Sequence, residues 1–186
     1  MKKLFLLLVS LLLVLSITGC EERFDPAPMI MEGEFPFVVE YEMNGERYLI
    51  EDTVVCAFDG YEVNNFAIFG YPSSRKWNMT LKSTGKEYHS IVIMEFDPNT
   101  ESLLFKNRIN EESYVRLYLG NGGYYMGDPD DDKSNPIIEY VEHYTIIKDR
   151  MGSIDGTTLS NEQLEKHFGI KIIRFEFSSP IENTFE

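Results

Sequence analysis

From Phe35 onward, apolar and polar residues alternate with a period of two through most of the chain. The runs FPFVVEYEM and ERYLIEDTVVCAF flank Asn44-Gly45. Such a pair between alternating runs predicts a two-residue hairpin, because both turn positions need positive φ. The short loop sets the register. Tyr41 then opposes Tyr48 and Val39 opposes Ile50, on an apolar face that continues through Val54, Cys56 and Phe58. On the other face Glu42 opposes Arg47, a predicted cross-strand ion pair.

Further strands are predicted downstream. Residues 76–82 place Trp77, Met79 and Leu81 on one side. Residues 89–96 (HSIVIMEF) are apolar on both faces through the middle, as expected of a central strand. Residues 102–106 form a short piece. Residues 114–119 and 124–127 surround Gly120-Asn121-Gly122-Gly123, read as a second hairpin turn. Residues 137–148 alternate Tyr140, Glu142, Tyr144 and Ile146 against Val141, His143, Thr145 and Ile147.

The period changes at Ser160-Asn161-Glu162-Gln163, which reads as a capping box opening a helix. Leu164 and Phe168 make its apolar stripe and Gly169 suits its end. A last strand over 170–177 brings Ile173, Phe175 and Phe177 to one face. The expected fold is mainly β: an antiparallel β-sandwich of about eight or nine strands with one short C-terminal helix, a barrel being the alternative. No internal repeat interrupts it, so residues 35–186 form a single β-rich domain.

Two stretches lack the pattern. Residues 21–34 (EERFDPAPMIMEGE) hold two prolines and five acids, the composition of an extended, solvated tether. Within it Met29, Ile30 and Met31 are apolar and placed to dock on the domain. Residues 4–17 are uncharged and follow Lys2 and Lys3. At about 1.5 Å per residue they span roughly 21 Å, short of about 30 Å of hydrocarbon and suited to a secretory leader.

That leader ends in Ile17-Thr18-Gly19-Cys20, which resembles the lipobox of bacterial lipoproteins. The resemblance implies a signal peptide over 1–19, cleavage between Gly19 and Cys20, and diacylglycerol on the Cys20 sulfur. Residues 20–34 would then be a lipidated N-terminus and flexible tether. The membrane becomes a partner through the lipid, and the domain lies on the extracytoplasmic face of the cell membrane. Two or more acyl chains hold firmly where one binds reversibly. The globular part also resembles small lipoproteins of Gram-positive bacteria, which share a strand like RYLIEDTVVC and a closing segment like LEKHFGIKIIRFEF. No activity comes with that resemblance.

Charge narrows the partners. Without the leader, 15 basic residues face 31 acidic ones, a formal charge of −16 once Lys2 and Lys3 are removed. Such a surface repels nucleic acid and anionic headgroups and suits cations or a basic protein. With Cys20 lipidated, Cys56 is the one remaining thiol, expected as a small buried core residue.

The most suggestive chemistry lies in the loop from Asp128 to Glu139. Asp128, Asp130, Asp132, Ser134 and Glu139 fall at positions 1, 3, 5, 7 and 12, the oxygen-ligand spacing of an EF-hand. Lys133 stands where the sharp turn wants Gly, Asn135 stands where an apolar residue is usual, and strands flank the loop. A calcium site outside the EF-hand class is the metal expectation, weighed against a solvated acidic loop; no other cofactor is expected. His89, His143 and His167 share no metal-ligand spacing, and no GxSxG, SxxK, P-loop or GxGxxG occurs.

Tyr118, Tyr124 and Tyr125 are the candidate ligand-binding aromatics, to be stacked on sugar or peptide if they form an exposed row. The function expected is therefore a membrane-anchored, non-enzymatic binding or interaction module for a protein or glycan ligand. The alternatives are an acidic inhibitor or immunity-type protein that captures a basic partner, and an envelope hydrolase.

Overall fold

The computed structural model describes residues 26–62, 74–98, 101–105, 109–131, 134–146 and 151–185. Its elements run β1 (Glu32–Met43), β2 (Glu46–Glu62), β3 (Ser74–Leu81), β4 (Ser90–Phe96), β5 (Glu112–Tyr118), α1 (Gly122–Tyr125), β6 (Ile137–Ile146), β7 (Met151–Thr158), α2 (Asn161–Phe168) and β8 (Ile170–Phe177). They build two antiparallel four-stranded sheets, β3-β2-β1-β8 and β4-β5-β6-β7. The fold is mainly β and sandwich-like, with no closed barrel.

The β1–β2 hairpin turns where the Asn-Gly pair requires it, with φ of 55° at Asn44 and 81° at Gly45. Val39 pairs with Ile50, Tyr41 with Tyr48 and Glu42 with Arg47. The ion pair is diagonal, however: Arg47 Nη1 lies 3.2 Å from Glu40 Oε1. The long arginine reaches past its direct neighbour to the next acid on the same face.

Alternation along β1 buries Phe35, Phe37, Val39 and Tyr41. With Val54, Cys56, Met79 and Leu81 of the same sheet they form one cluster with Val115 and Leu117 of β5 and Ile138 and Tyr140 of β6. Helix α2 carries the chain from β7 in the second sheet to β8 in the first. The Ser160–Gln163 capping box is formed at its start, and Gly169 ends it in the left-handed region at φ 64°. Its Phe168 ring sits 5.2 Å from both Phe96 and Tyr140.

Several elements differ from expectation. Residues 89–96 yield an edge strand, β4, with no fully buried residue and a bulge between Val92 and Met94. Its double apolar face covers an open flank. Within 101–105 there is an isolated bridge, Glu101 to Ile109, in place of a strand. The second hairpin is absent. Gly122–Tyr125 is a helical turn capped by Asn121, and β5 pairs with β6. The glycines there answer to packing: a Cβ at Gly122 would lie 2.6 Å from Trp77 Cβ. Strand β7 (MGSIDGTT) lacks alternation and is held by eight backbone partners on β6.

Residues 26–31, assigned by composition to the tether, are bonded to the body. Met29 N–H donates to Thr184 O at 2.8 Å, and Phe58 N–H donates to Met31 O at 2.8 Å. Asn183 clasps Ile30 through both its amide atoms, each at 3.0 Å.

Candidate functional site

The acidic loop folds back onto β3. Arg75 points inward from that strand, and its guanidinium donates through Nε to Asp128 Oδ2 at 2.8 Å and through Nη2 to Asp128 Oδ1 at 2.5 Å. Nη2 also reaches Asp130 Oδ2 at 2.6 Å, and Nη1 donates to Pro26 O at 3.0 Å. Trp77 Nε1 donates to Asp128 Oδ2 at 2.8 Å, and the Phe185 ring covers the guanidinium at 4.3 Å. Burial alone would raise the Asp128 carboxyl. The hydrogen bonds from Arg75 and Trp77, with the guanidinium charge, hold it below the ordinary range instead.

The five calcium-candidate residues therefore divide. Asp128 and Asp130 converge on Arg75, an internal cation in the place a metal would take. Glu139 lies on β6 and accepts from Arg116 Nε at 2.7 Å. The Ser134 carbonyl accepts from Asn121 N–H at 3.2 Å. Asp132 lies outside the described residues, as do Gly19 and Cys20. Among the described residues no group of three or more His, Cys, Asp or Glu side chains stands close enough to share a metal ion.

The three candidate tyrosines do not form a row. Tyr125 is fully buried, its hydroxyl donating to Leu119 O at 2.7 Å and its ring 4.8 Å from Phe35. Tyr124 is half-buried, edge-on to Tyr125 at 5.2 Å. Tyr118 projects from the outer side of β5, where the Arg116 guanidinium lies 5.8 Å from its ring. Tyr125 enters the core from the α1 turn.

A second buried acid went unremarked in the alternation. Glu142 is fully buried on the inner side of β6. Ser102 Oγ donates to it at 2.5 Å, Leu103 N–H at 2.7 Å and Tyr140 Oη at 2.8 Å. Against its burial, these donors keep the carboxyl below its usual range. Tyr140 is pushed up to about 12, by burial first and then by its bond to Glu142. The group fastens residues 102–103 to the second sheet.

Among the described residues, a surface cleft lies on the outer side of the first sheet. There Val38, Glu40, Arg47, Leu49, Glu51 and Arg174 line a cleft of about 370 Å³. Glu40 sits between Leu49 of β2 and Arg174 of β8, and Val38 is opposite Glu51. Leu49 is 62% exposed. Arg47 pairs with Glu40 and Arg174 with Glu176. The sequence signal was available: Val38 and Leu49 are apolar residues on the polar phase of the alternation. The apolar floor is rimmed by guanidiniums and carboxylates. Neither thiol nor imidazole lines it.

Comparison with known proteins adds one match. The chain is 28% identical over 147 residues to the digeranylgeranylglycerophospholipid reductase of Methanocaldococcus jannaschii, a match covering 77% of this chain and 34% of that protein. The chain thus spans about a third of the length of the curated relative it matches. No family model matches, and no solved structure does.

Proposed function

We propose that this chain is an extracytoplasmic module, held at the cell membrane by lipid on Cys20, that binds a polypeptide on the outer side of its first sheet and is not an enzyme. The observation that carries the binding reading is the cleft of Val38, Leu49, Glu40, Arg47 and Arg174, with its exposed apolar floor and mixed charge. In contrast, three buried groups of the described residues are engaged internally. Asp128 is held by Arg75 and Trp77, Glu142 by Ser102, Leu103 and Tyr140, and Cys56 is buried. The membrane reading rests on the leader and on Ile17-Thr18-Gly19-Cys20. The reductase similarity supplies no argument for redox chemistry here, because it spans about a third of that protein.

The test has two arms. Mass spectrometry of the membrane-extracted protein is expected to find a diacylglyceryl thioether at Cys20; a free thiol there removes the anchor. A peptide array and a glycan array are then probed with the wild type and with Leu49→Asp. Retention on extended peptides carrying both charges, lost in L49D while the melting temperature holds, supports the cleft. Retention on glycans alone, or binding indifferent to L49D, overturns it.

A further inference from the structure

We infer that the lipid anchor holds this domain in one orientation, with Met29, Ile30 and Met31 seated in the headgroup layer and the β1–β2 hairpin tip directed away from the bilayer. This rests on the Cys20 lipid proposed above and adds what that lipid positions.

The composition of residues 21–34 predicts a long free tether, but its second half is part of the body. Pro26 O is held by Arg75, Pro28 pairs with Phe185, Met29 bonds Thr184, and Ile30 is clasped by Asn183. Met31 O is then taken by Phe58 N–H at the far end of β2. The first fixed point after Cys20 is therefore Pro26, six residues on. Even fully extended, that stretch reaches about 20–22 Å, from the maximum rise per residue of an extended chain.

Within that reach of Cys20 lies an exposed apolar stretch of the described residues. Met29 is 62% exposed, Ile30 41% and Met31 49%. Three consecutive apolar side chains facing solvent, within reach of the anchored lipid, have the bilayer as the surface available to cover them. Methionine and isoleucine suit this role, because they bury flexible apolar bulk without a polar group to desolvate. Glu32 and Glu34 follow immediately, so the contact fits zwitterionic headgroups and is opposed by anionic ones. From Met31 the β1 strand leads away to Asn44, roughly 40 Å along a strand at 3.2–3.4 Å per residue. The cleft residues Val38 and Glu40 lie about 23–30 Å along it by the same rise. The anchor thus presents the cleft outward, clear of the headgroups.

The experiment uses the lipidated full-length protein in phosphatidylcholine vesicles, with an environment-sensitive fluorophore at Met29→Cys or at Glu46→Cys. Cys20 is blocked by its thioether, and Cys56 is buried. Both labelled positions are exposed. Nitroxide-headgroup lipid is expected to quench the M29C label severalfold and to leave the E46C label unchanged. Equal quenching at both positions, or none at position 29 in protein whose Cys20 lipid is confirmed by mass, overturns the orientation while the anchor stands. A free Cys20 thiol in the membrane-extracted protein overturns the anchor itself.

Discussion

Replacing Arg75 with methionine is the sharpest test of how this domain is held together. The Arg75 and Asp128 side chains are 1% and 2% exposed, so the R75M change strands a carboxylate in the interior. Breaking a buried pair from one side costs about 3–5 kcal/mol, out of a typical domain stability of about 5–15 kcal/mol. The lower end applies, because the Trp77 indole and the Asp130 amide still donate to Asp128. Asp130, at 61% side-chain exposure, hydrates and adds little. Urea unfolding followed by the fluorescence of Trp77, the chain's one tryptophan, reads the change directly.

The double variant R75M/D128N, with a neutral amide in place of the stranded charge, is expected to recover part of the loss. The pH dependence should also invert. In the wild type the depressed Asp128 carboxyl contributes stability that is full above its ordinary value of 3.8 and is lost as pH falls through the lower folded value. In R75M, burial without the guanidinium raises that carboxyl, so the penalty shrinks as pH falls from neutral. A cost in R75M below about 1 kcal/mol, on the scale of an exposed pair, would refute the reasoning. A double variant less stable than R75M would do the same.

Glu142, helix α2 and Cys56 carry the further expected outcomes. Glu142→Gln keeps the shape but loses the charge that Ser102, Leu103 and Tyr140 address, at a cost of about 2 kcal/mol by denaturant titration, as for hydrogen bonds to charged groups. In that variant ultraviolet titration should find Tyr140 below about 12, since Glu142 contributes to the rise. In the wild type the stability due to Tyr140 is complete below its ordinary value of 10.0 and is lost as pH rises through about 12. Gly169→Ala forces a Cβ into the left-handed region at φ 64°, and Ser160→Ala removes the cap on α2; each should cost about 1 kcal/mol in urea melts. Cys56, its thiol pushed up to about 12 by burial, should ignore a thiol reagent in the folded protein and react fully in urea.

How far the chain could be read in advance follows from the range of each interaction. The β1–β2 register was legible because Asn44-Gly45 admits one turn, and the turn sets every pair behind it. The α2 cap was legible because Ser160 and Gln163 are three residues apart. Strand β7 was not, since MGSIDGTT has no face to bury and depends on its β6 neighbour. The Gly120–Gly123 stretch misled because glycine serves close packing as well as turns, and here Trp77 and Asp131 lie against it.

The same division holds for the site. Sequence spacing gathered Asp128, Asp130, Asp132, Ser134 and Glu139 as metal ligands, by counting along a loop. The fold distributed the described acids between Arg75, 53 residues from Asp128, and Arg116, 23 residues from Glu139, and left the Ser134 carbonyl to Asn121. The clasp of Ile30 by Asn183 joins positions 153 apart. What local chemistry can dictate, namely turn, cap and alternation, was written in the chain. Which cation neutralises which acid, and the bonding of residues 26–31 to the body, depend on residues that meet once the sheets have stacked.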